Sequence, residues 1–434
     1  MPRVGLAYRL TDSWVIRSGF GIYYNIHQLN NYTILNLNPP LSGSANFANN
    51  IANNALIPGS SVYSFANPFG ATNPRSLVNA NVLNTDNFQP YVAQWSFDIQ
   101  RKLPFNMVAT VGYVGSKSTH VDNTVELNNP DPAFNTATST AQLRRPFQTI
   151  IDSGNERPLS RLRWLDSGGN AWYQGLQTNI QKRMSNGISI NVAYTYSKSM
   201  MEGYGRNEGD GFNDNTYQNP RNRALDRGRI GWDLRHNAVV NFVWDVPSLF
   251  KSGVGQYVLG GWQANSIMTF RSGFPLTVNQ GNLINTANSP VRPDRIASGV
   301  SSNPTINQWY NPDDFRIVSC ANTAVPEVCK YGNAGVGILE GPTGKVADFS
   351  LFKNFSFKER FKIQFRSEFL NFTNTPQFAR PNRTLNTGGG FLPVRSASGS
   401  LTYPTQANIV RGPGAITSTQ SPMRRVQFGL KLIF

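Results

Sequence analysis

The 434 residues include only two cysteines and three histidines. So few ligand-type side chains argue against zinc ribbons and disulfide-dense scaffolds. His27, His120 and His236 stand far apart, and none has a second His or Cys at ligand spacing; each reads as a loop or interfacial residue. No Ser/His/Asp order, phosphate-cradling glycine loop or carboxylate pair stands out, so neither an enzyme nor a cofactor is expected. Charged residues are sparse, at 15%. No run approaches the ~18 apolar residues that a membrane helix needs. With a mean hydropathy of −0.36, a helical membrane protein is not expected. A membrane-spanning sheet stays open, because half of each of its strands is polar.

Aromatic residues are plentiful, at 12%, and Gly, Asn, Ser and Thr abound, a mix that suits strands and turns. The last residues, Met423–Phe434, state the pattern most plainly. Val426, Phe428, Leu430, Leu432 and Phe434 alternate with Gln427, Gly429 and Lys431. A period of two puts the sets on opposite faces of a strand. A chain that stops on an aromatic suits a membrane barrel with an aromatic girdle; the other reading is the edge strand of a soluble β-domain.

Ten more segments carry the same alternation: Arg3–Leu10, Trp14–Tyr24, Tyr91–Arg101, Met107–Val114, Trp172–Arg183, Ile188–Tyr196, Arg235–Val246, Gly261–Arg271, Lys345–Phe355 and Phe361–Phe369. Short links (Thr11–Ser13, Lys102–Asn106, Met184–Gly187, Pro247–Gly260, Ser356–Arg360) alternate with segments tens of residues long. Transmembrane barrels have short periplasmic turns and long outer loops in that order; a soluble sandwich needs no such asymmetry. The fold expected is therefore all-β, a transmembrane antiparallel barrel wall of about eleven strands. An odd count would pair the first and last strands in parallel, so the wall is expected to be partial and open at Arg3–Leu10 and Val426–Phe434, edges that invite mispairing.

The net charge of +16 could serve nucleic acid. The Lys and Arg form no dense cluster, however, and a basic lumen or lipopolysaccharide phosphates account for the balance equally well. Lumen-side charges are expected at Arg9, Arg17, Asp98, Lys362, Arg366 and Glu368, in contact with solute, with a plug or simply with water. Trp14, Trp95, Trp244 and Trp262 suit an interfacial girdle. Asp210, Asn213, Asp214 and Asn215 form an Asx-rich patch without EF-hand spacing, and read as solvated loop. Cys320 and Cys329 share one long segment, and in an oxidising envelope a bridge is favoured over two free thiols.

The stretches PRVGLAYRL (2–10), VIRSGFGIYYN (15–25), YVAQWSFDIQRKLP (91–104), VGYVGSKSTH (111–120), YQGLQTNIQKRMSNG (173–187), VAYTYSKS (192–199), DLRHNAVVNFVWDVP (233–247), LGGWQANSIMTFRSGFPLTV (259–278), FRSEFLNFTNTPQF (365–378) and RVQFGLKLIF (425–434) together resemble the C-terminal half of a TonB-dependent outer-membrane receptor of the Oar-like type. The resemblance implies a 22-strand barrel, of which residues 1–434 would supply the last eleven strands. It also implies a plug, a TonB-contacting motif and a signal peptide, none of which is legible here. Met1 is accordingly expected not to be the natural start. Gln427, Gly429, Leu432 and Phe434 resemble the C-terminal signal read by the barrel-assembly machinery.

The function expected is TonB-dependent transport of a scarce, bulky solute across the outer membrane, the piece alone being inactive. TonB and plug would be met only through a preceding part of the protein. Lipid and lipopolysaccharide are the surrounding partners, and nucleic acid is not one. The alternative is a surface or adhesion protein whose loops bind partners, with the barrel as anchor.

Overall fold

The computed structural model describes residues 2–27, 33–38, 51–52, 55–56, 78–86, 88–136, 138–152, 155–202, 217–248, 250, 252–286, 291–321, 323–357, 361–387, 391–396, 398–406 and 411–434. Eleven strands form one wall: β1 (Arg3–Arg9), β2 (Trp14–Tyr24), β3 (Tyr91–Leu103), β4 (Met107–Glu126), β5 (Asn155–Ser185), β6 (Ile188–Glu202), β7 (His236–Asp245), β8 (Trp262–Arg271), β9 (Gly344–Phe357), β10 (Phe361–Leu370) and β11 (Arg425–Ile433). Each pairs antiparallel with its neighbour in chain order, and among the described residues β1 and β11 have one neighbour each, so the wall is open.

Register keeps the two side-chain sets apart along the whole sheet. Phe20 lies opposite Val4 and Trp95. Val192 lies opposite Ile180 and Val240, and Met268 opposite Val240 and Ala347. Leu430 lies opposite Phe365. Directly opposed residues share a face, so the apolar alternation of each strand merges into one continuous apolar surface. Turn chemistry fixes that register. Asn186 and Gly187, with φ of 52° and 75°, make the two-residue link from β5 to β6, the left-handed pair a tight hairpin requires. Space matters on the apolar face as well: a Cβ on Gly115 would lie 2.3 Å from the Trp95 indole, so the ring lies flat over the neighbouring strand.

Two strands outrun expectation. β4 continues to Glu126 and β5 begins at Asn155, so Gly115–Ala171 is not one irregular segment. The extension escapes a period-two reading because both of its faces are covered: Asp122, Asn123, Val125 and Glu126 are all buried. Inside the first long segment Val78–Leu83 forms a further strand, parallel to the outer part of β5. The link Pro247–Gly260, read as a plain connection, contains a helix, α1 (Gly253–Leu259).

The buried core sits in the long segments rather than in the wall. Leu276, Val278, Tyr310, Phe315, Ile317, Ala334, Leu339 and Leu385 form one cluster, and Ile284, Val291, Val318 and Cys320 a second. These belong to the excursion between β8 and β9, joined by Leu385 from the one between β10 and β11. The two excursions thus form a packed layer over the long-loop end of the sheet.

Candidate functional site

The polar face of the wall falls into three parts. At one side of the sheet Arg17 stands directly opposite Asp98, whose carboxylate lies over Gly112 on the next strand, in the space a Cβ would take. The central strands present amides instead: Gln177, Asn179 and Gln181 on β5, Asn191 on β6, Asn241 on β7 and Asn265 on β8 share this face by register. Asn179 donates to Asn191 at 2.9 Å. At the other side Lys362, Arg366 and Glu368 on β10 face β11. Glu368 is opposite Gln427 and Arg366 opposite Gly429. Arg366, Glu368, Gln427, Gly429 and Lys431 line a shallow open groove there, and the Arg366 Nε donates to Gln364 at 2.6 Å. Arg9 stands apart at the short-turn end, paired with Asp12. The expected lumen charges are therefore not one cluster. Sheet order divides them between two flanks, with an amide-rich surface between.

The apolar face carries the expected girdle residues. Trp14, Trp244 and Trp262 lie at the short-turn ends of β2, β7 and β8; Trp95 sits further along β3, beside Phe20. The Arg101 guanidinium stacks over the Trp14 ring at 4.7 Å. Leu432 and Phe434 at the chain's end are both exposed.

The loop layer holds the polar interactions that sequence reading missed. Arg292 and Asp226 form an ion pair that is almost wholly buried, 1% and 0% exposed. Arg292 also donates from Nε to the Ala334 carbonyl at 2.7 Å and from Nη2 to the Leu225 carbonyl at 2.9 Å. Its backbone N–H donates to the Gln218 side chain, whose own N–H reaches Gly332. The Gln218 backbone N–H donates to Asp226. Arg292, Asp226, Gln218 and Ala334 are all buried, so the network pins the segment before β7 to the one before β9. No periodic signal marks such a pair; lone Arg and Asp in a Gly/Asn-rich stretch look solvated. Beside it Asn123 donates to the Tyr217 hydroxyl at 2.6 Å, and burial pushes that hydroxyl's pKa up to about 12. Burial likewise raises those of Tyr310 and Tyr331.

Cys320 and Cys329 are joined, with Cα atoms 4.4 Å apart, at the edge of the second core cluster. The three histidines are scattered, as their spacing implies. His27 pairs with Asp122 at 2.8 Å, and the Tyr194 hydroxyl contacts His236 Nδ1 at 2.8 Å. His120 lies inside β4 rather than in a loop, with a φ of 59° at a register shift, stacked on Phe88. The Asx-rich patch at Asp210, Asn213, Asp214 and Asn215 lies outside the described residues.

A family model described as an outer membrane beta barrel domain matches residues 1–427. Comparison with curated proteins gives no match. Among solved structures the chain is similar to the outer membrane transporter YddB from Escherichia coli, with 9% identity over 97% of this chain and 38% of that one and a TM-score of 0.44. It is similar also to the ferric enterobactin receptor PfeA from Pseudomonas aeruginosa, with 11% identity, 100% and 40% coverage and a TM-score of 0.43. A third is the ferric citrate transporter FecA, with 11%, 100% and 38%, and 0.39. The chain spans 38–40% of the length of these three structures. A one-sided apolar sheet with tight turns at one end and a packed loop layer at the other, matched over nearly its whole length by that family model, belongs to the outer membrane beta-barrel domain family and resides in the outer membrane of a Gram-negative cell.

Proposed function

We propose that this chain supplies part of the wall and outer loop layer of a TonB-dependent transporter that moves a scarce, bulky solute. The observation that carries this reading is the broad polar face of an open sheet. Among the described residues β1 and β11 have one neighbour each, and eleven antiparallel strands close without a parallel seam when further strands join them; a barrel of that size encloses a wide lumen. The amide-rich belt between two charged flanks suits an interior that a plug fills and a solute passes. In this reading the chain is the C-terminal half of an Oar-like receptor barrel. Plug and TonB contact come from a preceding part of the protein, and the last eleven strands are inactive alone. Gln427, Gly429, Leu432 and Phe434 serve recognition by the barrel-assembly machinery, with lipid and lipopolysaccharide around the wall.

The test is uptake in cells. Loss of solute uptake on deleting TonB, with the complete protein still in the membrane, is the expected result. A reading frame that stops in frame just upstream of Met1 behind a working promoter would refute the partial-barrel reading. A second reading, a surface protein that binds cells or matrix through its loops, draws on the separate core of the loop layer, which gives the outer surface a fixed shape. Uptake untouched by TonB deletion, with adhesion lost on removing residues 272–344, would favour it.

A further inference from the structure

The short link before β8 carries a helix that is inside out for a protein in water. In α1, Val254, Tyr257 and Val258 follow the i, i+3, i+4 spacing of one helix face, and they are 79%, 58% and 57% exposed. The polar member of the helix, Gln256, turns back to the chain, its side-chain oxygen accepting from the Ser248 hydroxyl at 2.6 Å. Phe250, ahead of the helix, is exposed as well, and its ring lies over Gly255.

Lys353 fixes where this helix lies. Register sets Lys353 opposite Trp262 and Phe365, on the apolar face of β9 near its short-turn end. A cation on that face would be costly if left bare, yet Lys353 is only 3% exposed. Its Nζ donates to the Val258 carbonyl at 3.2 Å and to that of Gly260, two carbonyls left over at the helix C-terminus. The same ammonium lies 5.3 Å from the Trp262 ring and 5.0 Å from that of Phe355. The Trp262 indole N–H also donates to the Val258 carbonyl, at 2.9 Å. The helix is thus tied by its C-terminus to the apolar face itself, and its exposed side chains continue that face.

We propose that α1 is an interfacial anchor: with Phe250 it lies at the headgroup–acyl boundary of the phospholipid leaflet on the short-turn side, and Lys353 is the tether that holds it there. The continuity of Val254, Tyr257 and Val258 with a surface that meets lipid in an outer-membrane protein selects phospholipid as the occupant. An amphipathic helix in that position inserts its apolar side about 5–10 Å into the boundary. The buried, doubly bonded ammonium explains how the wall keeps a lysine on its lipid side.

Nitroxide labels at Val254→Cys, Tyr257→Cys and Val258→Cys test this in the complete protein, of which these residues are a part, embedded in vesicles of phosphatidylethanolamine and phosphatidylglycerol. Collisions with dissolved oxygen should exceed those with a water-soluble nickel chelate at all three positions. A label at Thr11→Cys, in the exposed turn after β1, should show the reverse. Chelate collisions at α1 equal to those at Thr11 would put the helix in water and overturn the proposal. Low collisions with both reagents would mean a protein surface covers it, and would overturn it equally. Lys353→Met should raise the mobility of the label at position 258; unchanged mobility would remove Lys353 as the tether.

Discussion

The wall and the loop layer obey opposite rules of burial. In the wall the large apolar side chains point away from the protein: Phe428, Leu430 and Leu432 on β11 are 66%, 75% and 58% exposed. Among the described residues, Ala264 is the one buried apolar side chain that belongs to the wall's shared apolar surface. In the loop layer the apolar residues point inward, around Leu276, Val278 and Tyr310, and the Arg292–Asp226 ion pair is buried as well. The wall therefore has lipid where a soluble domain has a core, while the loop layer is folded as a water-soluble domain is. One chain carries two solvents' worth of patterning, divided where the strands leave the membrane.

That contrast can be broken from either side. The largest effect is expected from Arg292→Leu, which removes the ion partner of the Asp226 carboxyl at 0% exposure; breaking such a pair costs about 3–5 kcal/mol. Protease cleavage within 217–235 and 272–344 should rise sharply while the wall strands stay protected. A double change, Arg292→Leu with Asp226→Leu, should recover much of that loss.

Leu430→Arg should do the opposite, sparing the loop layer and impairing insertion. A lysine or arginine facing lipid near mid-membrane costs ~2–4 kcal/mol, and the readout is the fraction recovered in the membrane after assembly. Reduction of the Cys320–Cys329 link should lower loop-layer stability by roughly 2–4 kcal/mol. The loss should be confined to hydrogen exchange around 317–331, with no change in the wall.

The smallest effect is alkaline loosening. Tyr217 has its hydroxyl pKa pushed up by burial to about 12, above the unfolded value of about 10. A group whose folded pKa is raised keeps its full contribution below the unfolded pKa and loses it as pH rises through the folded one. The layer should therefore weaken between pH ~10 and ~12, followed by tyrosinate absorbance alongside hydrogen exchange, while the wall responds less.

The same contrast explains what could be read from sequence. Strands such as Phe361–Leu370 announce themselves because one face must be apolar for lipid and the other polar, so alternation survives every substitution that keeps the fold. The turn Asn186-Gly187 is legible for its own reason, the left-handed backbone. Where both faces are covered, as in the outer half of β4 around Asn123 and Val125, the period vanishes and the strand is lost to view. The loop core is invisible for a related reason: Leu276, Tyr310 and Leu385 come together through a fold with no repeat. The charged positions on the polar face were individually identifiable, but only sheet order separates Arg17 and Asp98 from Arg366 and Glu368. The helix α1 had a signal in the apolar spacing of Val254, Tyr257 and Val258, masked by the glycines around it.

The central claim is that alternate residues of the wall meet lipid and a polar interior. Fluorophores placed singly at Asn191→Cys, Val192→Cys and Ala193→Cys in β6, in vesicles with brominated acyl chains, test it most directly. Strong quenching at position 192 and little at 191 and 193 is the predicted result; equal quenching at all three, or quenching at 191 and 193 alone, would contradict it.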